Sequence, residues 1–101
     1  MATVKQINDR NNLGMTGLQI KQLSQIIEEM EIEFNATNED DEFGLTNLFL
    51  DENNDLVIEC MEEMVKQGTT VDKATLDKLN TTMSEAEYQA IATNIKNEVS
   101  L

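Results

Sequence analysis

The chain has no proline, no tryptophan and no histidine, one cysteine, and aromatic side chains at only 4% of its 101 positions. Each shortage removes a class of chemistry. Without histidine there is no imidazole for general acid–base work and no Ser-His-Asp or Cys-His arrangement. With Cys60 alone there is no intramolecular disulfide and no His/Cys zinc cage. The four glycines, at 14, 17, 44 and 68, fit neither GxGxxG nor GxxxxGK[ST], so the common phosphate-cradling loops are missing. No run approaches the roughly 18 apolar residues of a membrane span, and the N-terminus lacks the apolar core of a secretory signal. These absences lead us to expect an intracellular, non-enzymatic protein with no cofactor, no metal and no membrane partner. Cys60 reads as a small buried hydrophobe rather than a reactive thiol.

Positive charge is the next scarcity. There are 7 Lys and Arg against 20 Asp and Glu, a net charge of −13. No base occurs between Lys21 and Lys66, while 14 acids lie between them, from Glu28 to Glu63. Direct binding to nucleic acid is disfavoured, because phosphate contacts need the opposite sign. A basic protein partner suits such a surface, as does mimicry of a nucleic-acid backbone; a merely solubilising acidic coat is the plainer reading.

What is present is mainly helical spacing. Residues 1–15 show no sustained period and are expected to form a flexible arm or a loosely docked start. Thr16 and Gln19 make a T-x-x-Q capping box. Ile20, Leu23, Ile27, Met30 and Phe34 then recur at 3, 4, 3, 4, one apolar stripe of a helix whose "MEIEF" end could also leave it as an extended piece. The stripe is a core or a partner seam. Residues 35–42, "NATNEDDE", read as an acidic linker, with Glu39, Asp40, Asp41 and Glu42 as a charged surface.

Further on, "DENNDLVIECME" meets the calcium-loop pattern at Asp51, Asn53, Asp55, Ile58 and Glu62. It fails at the sixth place, where Leu56 stands instead of the glycine that the sharp turn needs. "DENND" is therefore expected to be a break between helices. Leu56, Val57, Cys60, Met61, Met64 and Val65 fit a broad helical stripe ending at Gly68. Thr70 or Asp72 caps a short helix anchored by Leu76 and Leu79. Ser84 and Glu87 form an S-x-x-E box, with Met83 and Tyr88 as its hydrophobic staple, and Tyr88, Ile91, Ile95 and Val99 stripe the last helix. Tyr88 is expected to pack with its hydroxyl at the surface. The expected fold is all-α, a small compact bundle of four or five helices, with a single helical domain over residues 16–101 after the arm at 1–15.

The order "LQIKQLSQIIEEMEIEF", "NATNEDDEFG", "VIECMEEMVKQGTTVDKATLDKLN" and "MSEAEYQAIATNIKNEV" resembles the small tail assembly chaperones of long-tailed phages and prophages of Gram-positive bacteria, over residues 16–99. The resemblance implies a non-enzymatic protein that binds the tape measure protein and keeps it soluble until tail tube protein polymerises around it. It also implies self-association, action in the cytoplasm of the bacterial host, and absence from the mature virion. The contact residues such a role would use are Ile20, Leu23, Ile27 and Met30, with Met61 and Met64, where pliable thioethers adapt to varied helices. The alternative reading is a small acidic inhibitor of the anti-restriction or anti-CRISPR type, occupying a nucleic-acid groove by charge mimicry.

Overall fold

Local capping chemistry starts the chain. In the computed structural model, which describes residues 3–37, 44–62 and 65–99, Thr3 and Gln6 form a reciprocal capping box on helix α1 (Val4–Asn11). Its Val4 and Ile7 are buried in the core. A capped helix with buried side chains thus stands where a flexible arm or a loosely docked start was expected. Thr16 and Gln19 make the second box, each side chain bonded to the other's backbone N–H, and open helix α2 (Gly17–Thr37). "MEIEF" stays helical, and α2 runs into the expected linker as far as Thr37. The rest of that acidic stretch, with Glu39, Asp40, Asp41 and Glu42, lies outside the described residues.

The middle of the chain overturns the all-α expectation. Strands β1 (Gly44–Leu50), β2 (Leu56–Glu62) and β3 (Val65–Val71) form an antiparallel sheet in the order β1-β2-β3. Helices α3 (Lys73–Lys78) and α4 (Glu85–Val99) follow. The fold is mixed α and β.

Two features disguised the strands. In β1 the register slips between Leu45 and Asn47, leaving Thr46 as the extra residue of a bulge. Leu45 and Leu48 therefore reach the same buried face three positions apart, a spacing that imitates a helix. The Thr46 hydroxyl donates to the Glu59 carbonyl at 3.0 Å and ties the bulge to β2. In β2 the buried residues are Leu56, Ile58 and Cys60, a period of two, with Val57 and Glu59 only half-buried. Val57 supplied the i, i+1 pair that reads as helical. The β-branched Val57, Ile58, Thr69, Thr70 and Val71 suit a pleated surface better than a helix.

"DENND" is a hairpin loop. Asp51 Oδ1 accepts from the Asn53 and Asp55 backbone N–H groups, at 2.9 and 3.0 Å, and Asn54 takes the left-handed region at φ 62°. Gly68, expected to stop a helix, pairs with Glu59 inside β3. A Cβ there would sit 3.1 Å from the Ile58 carbonyl oxygen.

Helices supply the other half of the core. Leu23, Ile26, Ile27 and Met30 of α2, Leu76 and Leu79 around α3, and Ala92 and Ile95 of α4 join Leu45, Leu48, Leu56, Ile58 and Cys60 of the sheet in one buried cluster. This is an α+β arrangement, an antiparallel sheet burying one apolar face.

A candidate protein-docking groove between two helices

Two glutamine amides, one buried and one half-buried, hold α2 in place. Gln19 Nε2 donates to the Leu76 carbonyl at 2.9 Å, and Gln22 Nε2 donates to the carbonyls of Leu79 and Thr81 at 2.7 and 3.0 Å. These bonds satisfy carbonyls at and just beyond the C-terminal end of α3, which has no glycine cap. Near the other end of α2, Glu33 pairs with Lys96 of α4.

Between these fastenings runs a groove of about 440 Å³. Its α2 wall is Gln22, Gln25, Glu28, Glu29 and Ile32, spaced as one helix face beside the buried stripe of Leu23, Ile26, Ile27 and Met30. Its other wall is the start of α4. There Ser84 Oγ accepts from the Glu87 N–H at 3.3 Å, and Met83 and Tyr88 face the groove with Glu85 and Gln89. The expected staple pair is brought together on one wall.

The groove is acidic and mostly polar, with Ile32, Met83 and Tyr88 as its apolar members. Glu28, Glu29 and Glu85 line it, and among the described residues no Lys or Arg does. Gln89 Nε2 donates to Glu85 at 3.1 Å. Ile32 is 71% exposed, far more than any other large apolar side chain among the described residues. The Tyr88 hydroxyl oxygen is buried, contrary to the expectation of a surface hydroxyl; it lies beside the Glu29 carboxylate, but no hydrogen bond of normal geometry forms there. Burial, followed by the Glu29 and Glu85 carboxylates, holds its pKa above the ordinary 10.0.

The residues singled out as partner contacts lie elsewhere. Leu23, Ile27 and Met30 are core residues, exposed by no more than 3%. Ile20 is half-buried against them. They sit together on α2 but are not presented to a partner in this fold. Met61 falls in β2, paired with Gly44 and Lys66, and Met64 lies outside the described residues. Ile32 falls off the 3, 4, 3, 4 stripe, so apolar periodicity does not mark it. Its signal was an isoleucine set among glutamates on the charged face of the helix.

A second cleft, of about 390 Å³, lies between β3 and α4. Its carboxylates are already engaged: Asp72 caps α3 by accepting from the Thr75 N–H at 2.7 Å, and Glu98 accepts from the Thr69 hydroxyl. Cys60 is fully buried, and burial, with Glu31 nearby, pushes its thiol up to about 11. No helix among the described residues is long and apolar enough to cross a membrane. Comparison with protein-family models, characterised proteins and solved structures finds no match.

Proposed function

We propose that the protein is a non-enzymatic assembly chaperone that binds a helical protein partner stoichiometrically. In its particular form, the partner is the tape measure protein of a long-tailed phage, held soluble in the host cytoplasm until tail tube protein displaces the chaperone. The observation that favours protein binding is Ile32, 71% exposed on a helix face that otherwise carries Glu28 and Glu29. An isolated apolar anchor inside an acidic rim suits reversible cover of an apolar, basic helix: the anchor supplies contact area, and the rim speeds encounter and opposes precipitation.

The tail-chaperone identity rests on the sequence resemblance alone. That resemblance now draws on α2 and on the stretch from α3 through α4, since "VIECMEEMVKQG", read as helix, supplies β2 and part of β3.

The test is purification of the tagged protein from phage-producing cells, with mass spectrometry of its companions and of purified virions. A long, helix-rich protein in near-stoichiometric amount, with the chaperone itself missing from virions, is the expected result. A nuclease or other nucleic-acid enzyme as companion would replace this reading with that of a charge mimic. Retention in virions would make the protein a structural subunit.

A further inference from the structure

Between α2 and the start of α4, an apolar anchor, excess negative charge and an unpartnered polar atom meet in one groove. Ile32 offers the anchor, Glu28, Glu29 and Glu85 the charge, and Tyr88 the atom. We propose that this groove docks a lysine-bearing amphipathic helix of a partner polypeptide, with apolar side chains covering Ile32 and Met83 and one ammonium seated at Tyr88 Oη beside Glu29 and Glu85. The proposal deepens the protein-binding reading and rests on it.

The chemistry selects the occupant. A buried hydroxyl whose contact with Glu29 falls short of a well-formed hydrogen bond is costly, and with its proton turned toward Glu29 the lone pairs of Tyr88 Oη can accept from a cation. Carboxylates on both walls favour a positive charge and repel a nucleic-acid backbone. An ammonium carries its donors on one compact centre and bonds separate acceptors, whereas a guanidinium is best matched by a paired, planar carboxylate fork. The lysine stem is apolar, so it can lie along Ile32 and Met83 with its head on the acids.

The groove also carries its own reporter. Tyr88 is the chain's one tyrosine and there is no tryptophan, so tyrosine emission reads this site alone. The probe is a designed helical peptide with a leucine face flanked by lysines, titrated into the full chain at low salt. The same peptide with glutamate for lysine is the control. The expected result is a change in tyrosine emission with the lysine peptide and none with the glutamate peptide. Replacing the paired charges, E29Q/E85Q, should weaken binding about tenfold, the effect of losing charge-assisted bonds. Removing two exposed charges from elements that do not line the groove, E52Q/D77N, should change it by less than about twofold. Calorimetry with Y88F, which keeps the ring and removes the oxygen, should show a severalfold loss. Circular dichroism identifies any variant that fails to fold, and Y88F gives a second, nearly isosteric test.

Equal weakening by E29Q/E85Q and E52Q/D77N would overturn the proposal, because only the overall field would then be at work. Binding without a change in tyrosine emission, or no binding, would overturn it as well. Failure of the broader protein-binding reading shows itself differently: the peptide binds the groove, yet purification from cells yields no stoichiometric partner.

Discussion

Ile32 and Ile58 are the same residue type with opposite burdens. Ile58 is fully buried at the centre of the sheet, between Leu48 and Thr69 in the strand register. Ile58→Ala should cost about 2–5 kcal/mol, the transfer loss plus the cavity. Ile32→Ser should change stability by less than about 0.5 kcal/mol. Urea unfolding of both variants checks the pair, and a costly Ile32→Ser would mean that this side chain is structural. Glu31 makes a separate statement about pH. Partial burial raises its pKa above the ordinary 4.5, opposed by a hydrogen bond from the Leu45 backbone. A carboxyl whose pKa is raised on folding holds its proton more tightly in the folded state. Its contribution is therefore present at acid pH and lost as pH rises through the folded value. Glu31→Gln, which keeps an acceptor for Leu45, should flatten that part of the stability profile above pH 4.5. A profile as steep as the parent's would assign the titration to another group.

Elements were legible in the sequence where a cap and a sustained period coincided. The Thr16–Gln19 box with its apolar stripe located α2, Asp72 with Leu76 and Leu79 located α3, and Ser84 and Glu87 located α4. The Thr3–Gln6 box is just as explicit, but α1 has only eight residues, and its two buried apolar side chains, Val4 and Ile7, are too few to show a period. The strands failed for physical reasons. The Thr46 bulge turned a two-residue period into a three-residue spacing, and half-buried Val57 filled the gap in β2. Both elements present their apolar residues at helical intervals, although the hairpin pairing decides the outcome. Asn54 is the remaining local signal: its left-handed backbone, φ 62°, closes the loop after Asp51. Asn54→Val should cost about 1–2 kcal/mol because a β-branched side chain resists that region. Asn54→Gly should be tolerated. Thermal melts of the two variants decide it, and equal stability would show that the turn does not require the left-handed residue.

At the scale of the molecule, the sheet turns one apolar face to the helices, and the polar face of α2 stays exposed. The acid-rich middle between Lys21 and Lys66 was visible from composition alone. How its acids are shared was not, since that depends on which helix face is buried. The stripe of Leu23, Ile27 and Met30 went inward, and the adjoining face of Glu28, Glu29 and Ile32 became a groove wall with Tyr88 opposite. Sequence periodicity separates one face from the other but does not say which neighbour completes a site; that takes the tertiary contact between α2 and α4.

The most direct test of this account is partner capture from phage-producing cells, run in parallel with the parent protein and a folded E29Q/E85Q/I32S variant. The account predicts that the parent retains a near-stoichiometric protein partner and that the variant loses most of it. Equal recovery of the same partner by both would contradict the assignment of this groove as the docking surface.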